Sequence, residues 1–201
     1  MQLVSKSMRF TFLRNPPVAF TVVVSLVLSW AALVMHPVLN KDGMLYVEAA
    51  KTFTNEGLGA ATAIFSWPFL SMLMGMLSTL TGLSPEICGH VLNALFMAGC
   101  CALLVDIVSK REERRSIVWL RVLVVLAIPG LNGHRDELLR EYGCWFFTLW
   151  ALRTALDWPS RPSWLRAFCL QGLFLYAALF RPEAIAYYLC VVFWEYRCNS
   201  P

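Results

Sequence analysis

Long apolar runs separated by short charged segments constrain this chain more than any other feature. The first run, Pro17 to His36, spans 20 residues, which matches the roughly 20 residues that a helix needs to cross a bilayer. Lys6, Arg9 and Arg14 precede it, as in a signal peptide, but no small-x-small cleavage pattern closes it. We therefore interpret residues 17–36 as an uncleaved first span.

Six further apolar runs follow, and the composition assigns them to a membrane. Only 15% of the residues are charged and 58% are hydrophobic, whereas about 25% are charged in an ordinary soluble domain. The fold class is therefore predicted to be all-α, a polytopic membrane helical bundle in which residues 1–201 form a single transmembrane domain. The six runs are Trp67–Leu83, Ile87–Val108, Ile117–Leu131, Cys144–Leu156, Leu165–Phe180 and Ala184–Tyr196.

The distribution of positive charge indicates which of these runs cross the membrane. Trp67–Leu83 is ambiguous because it is short and interrupted by small residues. If it lies along the outer surface, and the other six runs span from a cytoplasmic N-terminus, 12 of the 17 Lys and Arg residues fall inside. If it spans, every later loop changes sides and only 6 fall inside. The positive-inside rule selects the first arrangement: a first span at 17–36, an outer loop with two interfacial helices at 40–84, and five further spans within 87–197.

This arrangement gives the outer face a net charge of −3 and the inner face +7. The basic residues flank apolar runs and form no continuous patch, so no nucleic-acid partner is expected. The seven cysteines form no C-x-x-C pair and are interpreted as small packing residues. No cofactor and no metal ligand is predicted, and whether a divalent metal takes part stays open.

One candidate site residue, Asp42, follows the first span directly. Its carboxylate can cap a helix that runs to about Asn55, which is a sufficient structural explanation. The alternative is an acid held at the membrane surface that takes a proton from an acceptor hydroxyl or amine, or orients it. The residues alone leave both interpretations open.

A second candidate is the run of five charged side chains between Arg135 and Glu141, which opens the fourth span. In a purely structural interpretation, Asn132 caps a helix that begins near Gly133. Because the apolar run of the fourth span is short, Leu138 to Cys144 are also expected to form its outer turn. Such a turn is tolerated at a bilayer boundary only where it lines a wet groove.

The arginines in these outer segments favour a ligand. Arg135 lies where a cation opposes the helix dipole, and Arg140 must stay charged close to hydrocarbon. A planar guanidinium grips phosphate well, so an anionic ligand such as a lipid phosphate is indicated. Arg181, between the fifth and sixth spans, either reaches lipid headgroups or adds to the same anion pocket.

Taken in order, these outer segments resemble the N-terminal half of GT-C type polyprenyl-phosphate-sugar glycosyltransferases. The resemblance is to bacterial relatives of the protein O-mannosyltransferases and of the lipid A aminoarabinose transferases, whose first outer loop contains two helices lying along the membrane. The matching elements are Asp42-Gly43-x-x-Tyr46, Ser66-Trp67-Pro68-Phe69, Arg135-Asp136-x-x-x-Arg140-Glu141-x-Gly143-x-Trp145 and Arg181-Pro182-Glu183.

The resemblance implies inverting transfer of a sugar from a polyprenyl-linked donor to an acceptor at the extracytoplasmic face of the bacterial inner membrane. Asp42 matches the acid that acts as a base or positions the acceptor, and Tyr46 and Trp67 belong to the same acceptor loop. Many relatives have a second acid where this chain has Gly43. The donor-phosphate and substrate contacts implied by the resemblance are Arg135, Asp136, Arg140, Glu141 and Arg181.

The resemblance also implies partners: the polyprenyl-linked donor, membrane lipids and a remainder of the enzyme encoded downstream. Relatives run to more than twice this length, so the chain is expected to be the N-terminal part of a larger architecture. Two other functions stay open. One is a non-catalytic membrane protein of the same fold that binds anionic lipid or scaffolds a partner. The other is a transporter, for which only the helix-breaking pair Pro129-Gly130 gives a hint.

Overall fold

The computed structural model describes residues 15–110, 112, 114–157 and 163–199, without the side chains of 195, 196, 198 and 199. Five of the basic residues used to predict the topology lie outside this part of the chain: Lys6, Arg9, Arg14, Arg111 and Arg161. Within the described residues the fold is all-helical, without strands, as predicted. The helices are α1 (Pro16–Met35), α2 (Lys41–Glu56), α3 (Leu58–Ile64), α4 (Phe69–Thr81), α5 (Pro85–Ser109), α6 (Arg115–Leu126), α7 (Pro129–Asn132), α8 (Glu141–Ala155), α9 (Trp164–Phe180) and α10 (Ala184–Asn199).

Two helices of the described chain, α1 and α5, are long and apolar enough to cross a membrane, judged by length and composition alone. Apolar helices shorter than 18 residues are α4, α9 and the Ala184–Trp194 part of α10. A span needs roughly 20 residues, so the arrangement with six spans stays a prediction.

Local sequence explains where several helices begin and end. Pro16 and Pro85 occupy the first position of α1 and α5, where the missing backbone N–H leaves no bond unmade. The Ser84 hydroxyl caps α5 by accepting a hydrogen bond from the Ile87 N–H at 3.3 Å. Gly82 ends α4 in the left-handed conformation, with φ of 74°.

The bundle has two distinct ends. Phe20 near the start of α1 contacts Trp119 near the start of α6, with ring centroids 5.2 Å apart, and α5 packs against α1, α4, α6 and α8. What we term the loop end gathers the end of α1, helices α2 to α4, residues 133–140, the start of α8 and the end of α9. The opposite end, termed the basic end, gathers the ends of α5 and α8 and the starts of α6 and α9.

Helix α4 lies across the loop end. Its first residue, Phe69, contacts Phe180 at the end of α9, with ring centroids 5.0 Å apart. Its last residue, Thr81, places its hydroxyl 3.8 Å from the Cys88 sulfur at the start of α5. Because both partners belong to the loop end, α4 runs across the bundle and not along it.

The cysteines only partly match their predicted packing role. Cys88, Cys100, Cys101 and Cys144 are buried free thiols, as expected, but Cys169 and Cys190 are exposed. For these two the prediction was wrong, because their side chains in α9 and α10 are exposed. The side chain of Cys198 is outside the described residues.

Candidate functional site

Residues 133–140, between α7 and α8, form an irregular segment that penetrates the loop end of the bundle; we call it the α7–α8 loop. Leu138 is fully buried. The Asn93 side chain of α5 donates to the Glu137 carbonyl at 3.2 Å, and the Tyr142 hydroxyl donates to the His134 carbonyl at 2.6 Å. Irregular backbone of this kind is tolerated at membrane depth only where protein or a wet cavity surrounds it.

Two hydrogen bonds made by the side chain of Asn40 connect the start of α2 to this loop. Its side-chain amide donates to the Leu138 carbonyl at 3.3 Å, and its Oδ1 accepts from the Leu138 N–H at 3.0 Å. Both backbone groups of Leu138 are therefore engaged outside any helix. This corrects the prediction that Leu138 to Cys144 form a helical turn, because α8 begins only at Glu141.

The hydrogen bonds between Asn40 and Leu138 also restrict which residue position 43 can hold. A Cβ on Gly43 would collide with the Asn40 Oδ1 and press on Leu138. Gly43 is itself buried in the first turn of α2. A second acid at position 43, next to Asp42, would therefore break the pairing that places the α7–α8 loop beside α2.

Arg135 extends from the loop into the bundle and is only 5% exposed. Its Nη1 donates to the Ser25 carbonyl and hydroxyl and to the Ser29 hydroxyl at 2.9–3.0 Å. Its Nε donates to the Asn132 Oδ1 at 2.7 Å, and Nη2 lies 3.8 Å from the Cys101 sulfur. These contacts join α1 to the loop, so we assign Arg135 a structural role and remove it from the candidate phosphate site.

The predicted cap at Asn132 is also corrected. Asn132 ends α7, and residues 133–140 form turns and bends, not a helix. Its amide donates back to the Leu126 and Ile128 carbonyls at 2.7 and 3.1 Å. The Asn132 side chain therefore hydrogen-bonds to carbonyls near the end of α6 and accepts a hydrogen bond from Arg135. It is not available to cap a following helix.

Five predicted residues do come together at the loop end: Asp42, Tyr46, Arg140, Glu141 and Arg181, which we call the site cluster. Tyr46 lies at its centre and is 4% exposed. Burial raises the pKa of Tyr46 to about 12; Arg140 and Arg181 oppose this rise, whereas Glu141 and Asp42 add to it. Since all four charges act on one phenol, residues from α2, α8 and the end of α9 share one electrostatic environment. Tyr46 stays protonated at neutral pH.

Within the cluster, Arg181 is held by two carboxylates. Its Nη1 donates to Glu141 at 2.7 Å, and its Nη2 and Nε donate to Glu183 at 3.0 and 3.3 Å. Hydrogen bonding by Arg181 lowers the pKa of the exposed Glu183 carboxyl. The second oxygen of Glu141 is buried and has no hydrogen-bond partner among the described residues. The ion pairs fix the end of α9 against the start of α8.

Arg140 differs from Arg181 because no hydrogen bond or ion pair engages its guanidinium within the part of the chain that the structure describes. The guanidinium lies over the face of Phe65, whose ring centroid is 5.2 Å from Cζ. The Phe65 ring also packs edge-on against Tyr46, with centroids 5.2 Å apart. Stacking orients the guanidinium and leaves its N–H groups directed to a ligand or to solvent.

The other predicted residues lie at the edges of this cluster. Asp42 is exposed in the first turn of α2, where it suits the positive end of the helix dipole. It is not the helix cap of the structural interpretation, because Asn40 occupies that position and no side-chain cap bond forms there. Trp67 donates from Nε1 to the Ala178 carbonyl at 3.2 Å, which anchors the loop before α4 to α9. Asp136 is half-buried and is not among the charges that act on Tyr46.

Sequence analysis missed a polar stripe in α1 that receives Arg135. Thr21, Ser25 and Ser29 are all buried, and their spacing of four residues places them on one face of the helix. Hydroxyls repeated at this spacing in an apolar span are typical of a contact with another polar element. This periodicity was visible in the sequence, whereas the Asn40–Leu138 pairing had no sequence signal.

Comparison of the chain with family models, curated proteins and solved structures finds no match. Among the described residues, no group of three or more His, Cys, Asp or Glu side chains could hold a metal ion.

Proposed function

We propose that this chain is a membrane glycosyltransferase, or the N-terminal module of one, which transfers a sugar from a polyprenyl-phosphate donor to an acceptor at the extracytoplasmic face of the bacterial inner membrane. One observation carries the proposal. An arginine without a carboxylate partner among the described residues, Arg140, shares the environment of Tyr46 with an exposed carboxylate, Asp42. These are the two charge types that the departure of a phosphate and the activation of an acceptor require.

In the proposed reaction, Asp42 accepts the proton of the acceptor hydroxyl or amine as that atom attacks the anomeric carbon. The bond between the anomeric carbon and the phosphate oxygen breaks, and the polyprenyl phosphate leaves with the bonding electron pair. Arg140 stabilises the negative charge on the departing phosphate. Tyr46 is a hydrogen-bond donor and not a base, because its pKa is raised to about 12.

The proposed membrane arrangement places the loop end outside and the basic end in the cytoplasm, with six spans and a cytoplasmic N-terminus. The position of Arg135 shows how far a charged side chain reaches into the bundle. Ser29 lies about 9 Å of helix axis before the end of α1, at 1.5 Å per residue, and Arg135 reaches it. The guanidinium of Arg135 therefore lies at about this depth in the bundle. The partners would be the polyprenyl-linked donor, membrane lipids and a downstream-encoded remainder of the enzyme.

A second candidate function is a non-catalytic membrane protein of the same architecture that binds anionic lipid. It is favoured by the observation that two of the predicted phosphate-binding arginines have partners within the protein. Arg135 hydrogen-bonds to Ser29 inside the bundle, and Arg181 forms ion pairs with Glu141 and Glu183. In this alternative, Arg140 still binds a lipid phosphate, but Asp42 has no role in turnover.

The deciding experiment measures sugar transfer from a polyprenyl-phosphate donor in membranes that contain the chain. Asp42→Asn removes the base, so transfer should fall by about 100-fold or more, the usual contribution of a general base. Glu48→Gln is the matched control, because Glu48 is an exposed acid on the same helix. Arg140→Ala should lower kcat/KM for the donor, because it removes the charge that stabilises the departing phosphate, whereas Lys51→Ala, at an exposed base on α2, should not.

The outcomes separate the two candidate functions. Unchanged transfer in both Asp42→Asn and Arg140→Ala would contradict the site assignment. If wild-type membranes show no transfer but retain polyprenyl phosphate in an Arg140-dependent manner, the non-catalytic function is the correct one.

A further inference from the structure

Three carboxylates share the surroundings of Arg140, yet no ion pair or hydrogen bond joins any of them to it within the residues that the structure describes. Asp42 and Glu141 act with Arg140 on the same buried phenol. After the hydrogen bonds from Arg181 and the backbone, the charge of Arg140 also contributes to the lowered pKa of Glu183. A guanidinium in such surroundings ordinarily forms ion pairs, as Arg181 does with Glu141 and Glu183.

Two of these acids have acceptor capacity that no described residue uses. One oxygen of Glu141, Oε2, is buried without a hydrogen-bond partner, although the other oxygen accepts from Arg181. Asp42 is exposed, and no hydrogen bond engages its carboxylate within the described part of the chain. A shortage of acceptors therefore does not explain why Arg140 is unpaired. Another contact must hold its guanidinium away from the carboxylates.

That contact is with Phe65, the residue that follows α3. The Arg140 Cζ lies 5.2 Å from the centroid of the Phe65 ring, which is within the distance at which an aromatic face attracts a cation. The stack covers one face of the planar guanidinium and leaves the N–H groups at its edge unpaired. Because the guanidinium would lose this attraction by moving off the ring, the stack competes with an ion pair to any acid that lies elsewhere.

The Phe65 ring is held by contacts of its own. The backbone N–H of Phe65 donates to the Ala61 carbonyl at 3.0 Å and closes α3. The ring packs edge-on against Tyr46, with centroids 5.2 Å apart and planes at 62°. Two residues later, Trp67 donates to a backbone carbonyl of α9 at 3.2 Å. The position of the ring therefore does not depend on the arginine that stacks on it, and the ring can determine where the guanidinium lies.

We propose that Phe65 is a positioning residue of the site cluster, which keeps Arg140 from pairing with the neighbouring acids and so preserves a cation for a phosphate group. The inference rests on the proposed role of Arg140 in binding the donor phosphate. Without the ring, Arg140 pairs with one of the three acids, and a phosphate has to displace that acid before it binds. The apparent affinity for phosphate is then reduced by the fraction of the protein in which Arg140 is free.

The first test needs no ligand and uses the full chain in lipid nanodiscs. Phenylglyoxal reacts with the unprotonated fraction of a guanidinium, which an ion pair diminishes by raising the arginine pKa, and mass spectrometry of a digest gives the rate at Arg140. Phe65→Leu keeps an apolar side chain but has no aromatic face. If the ring merely shields Arg140, this variant should react faster. The proposal predicts that it reacts about fivefold more slowly, the factor that corresponds to roughly 1 kcal/mol of lost stacking. An unchanged or faster rate would overturn it.

Three further proteins separate stacking from bulk. Phe65→Tyr keeps an aromatic face and should react at the wild-type rate. Phe168→Leu makes the same replacement at a 72% exposed phenylalanine near the start of α9 and should leave the rate at Arg140 unchanged. Trifluorophenylalanine in place of Phe65 keeps the packing but weakens the negative ring face, so it should slow the reaction. A wild-type rate in the trifluorophenylalanine protein would overturn the proposal even if Phe65→Leu failed to fold.

Removal of the capturing acid should reverse the effect of Phe65→Leu. The second substitution is Asp42→Asn, Glu141→Gln or Glu183→Gln, each combined with Phe65→Leu. At least one of the three double variants should recover the wild-type rate at Arg140, because the ion pair that replaces the stack can no longer form. Recovery in none of them would show that no acid captures the arginine, which would contradict the proposal.

The second test measures binding of farnesyl phosphate, a short polyprenyl phosphate, with farnesol as its uncharged control. Wild type should bind the phosphate more tightly than the alcohol, and Arg140→Ala should abolish the difference. Phe65→Leu should raise the Kd for farnesyl phosphate about fivefold and leave the Kd for farnesol unchanged, whereas Phe65→Tyr should match wild type. Inorganic phosphate should compete with farnesyl phosphate if the site recognises the phosphate group without the prenyl chain.

The outcomes separate this inference from the proposed function. If Arg140→Ala binds farnesyl phosphate as tightly as wild type, the phosphate-binding role of Arg140 fails, and the inference that rests on it fails too. If binding requires Arg140 but Phe65→Leu binds and reacts as wild type does, only the role of Phe65 is overturned.

Discussion

Position 43 has no side chain because the Asn40 amide occupies the space that a Cβ would fill. The same amide holds both backbone groups of Leu138. A single glycine thus allows α2 to approach the α7–α8 loop, and this approach brings Asp42 and Tyr46 near Arg140. Its effect on the site comes from close packing and not from backbone flexibility, since Gly43 lies inside a helix.

Gly43→Ala should lower the free energy of unfolding by about 1–3 kcal/mol, the usual cost of overpacking a buried site. The penalty should be smaller in an Asn40→Ala background, because the colliding oxygen is then absent. Thermal unfolding of the four proteins in a double-mutant cycle measures this coupling. Additive effects would show that the Asn40 contact does not restrict position 43.

Arg135 is a buried cation with no carboxylate within ion-pair distance among the described residues. Neutral hydroxyls and carbonyls solvate it instead, mainly from Ser25 and Ser29. Hydrogen bonds to a charged group are each worth about 1.5–3 kcal/mol. The arginine is therefore expected to contribute strongly to the stability of the contact between α1 and the α7–α8 loop.

Arg135→Met keeps an apolar stem but removes every donor, so it should lower the free energy of unfolding by about 3 kcal/mol. Arg135→Lys should lie between wild type and Arg135→Met, because an ammonium can serve some of the same acceptors. Arg115→Met, at an exposed position of α6, is the control and should be close to neutral. Thermal unfolding in lipid nanodiscs measures the series. A stabilised Arg135→Met would show that the desolvation penalty of the charge exceeds its hydrogen bonds.

Tyr46 gives the site cluster a defined pH response. Burial raises its pKa to about 12, whereas an unfolded tyrosine has a pKa near 10. The folded state therefore favours the neutral phenol, and this contribution to stability is complete below pH 10 and is lost as the pH rises from about 10 to about 12.

Tyr46→Phe cannot ionise, so it should lose less stability than wild type across that pH interval, by on the order of 2 kcal/mol. Denaturant unfolding at successive pH values between about 9 and 12 checks the difference. Tyr187→Phe, at a tyrosine that is 49% exposed, serves as the control. Parallel curves for Tyr46→Phe and wild type would show that Tyr46 is not held neutral by the fold.

Among the helices, the apolar runs placed some ends to within a few residues. Ser84 and Pro85 mark the start of α5, which the sequence analysis put at Ile87, and Gly82 marks the end of α4, which it put at Leu83. The sequence was least informative at α8, which was expected to extend back to Leu138. The backbone of Leu138 is bonded to Asn40, a residue distant in sequence, so no local pattern could have predicted that the helix begins at Glu141.

The contact between α8 and α9 also depends on one glycine. A Cβ on Gly143 would collide with the ring of Phe180, which lies in the core of the loop end and contacts Phe69 and Phe96. The glycine that the sequence places in the fourth-span motif thus has a packing function. It lets α9 approach α8 closely enough for Arg181 to reach Glu141.

Gly143→Ala should therefore lower the free energy of unfolding by about 1–3 kcal/mol despite the better helix propensity of alanine. Gly172→Ala is a matched control in α9, because a Cβ there meets open space; it should be neutral or stabilise by up to about 1 kcal/mol. Phe180→Leu should relieve the Gly143→Ala penalty in part. Equal unfolding temperatures for Gly143→Ala and Gly172→Ala would contradict the close packing of Phe180.

At the scale of the whole molecule, sequence predicted the helical class and named all five residues of the site cluster, because charged residues in an apolar chain are few and lie between the runs. It did not separate Arg135 from Arg140. Both are arginines at the start of the same predicted span, yet one faces serines inside the bundle and the other stacks on Phe65. That distinction depends on which helix lies opposite each side chain, and composition does not contain it.

The number of spans follows from whether α4 crosses the membrane, and two exposed acids flank this helix. Glu56 ends α2 and Glu86 lies in the first turn of α5. If α4 lies across the loop end outside the membrane, both positions share one side. Single Glu56→Cys and Glu86→Cys variants, in a background without native cysteines, should then both react with a membrane-impermeant maleimide on intact cells. Ser116→Cys, exposed at the start of α6, should react only after permeabilisation. Reaction of Glu56→Cys and Glu86→Cys from opposite sides would show that α4 is a span, and the orientation of every later helix would then be reversed. Arg140 and Arg181 would lie on the membrane face opposite Asp42. The site cluster could not exist in a membrane.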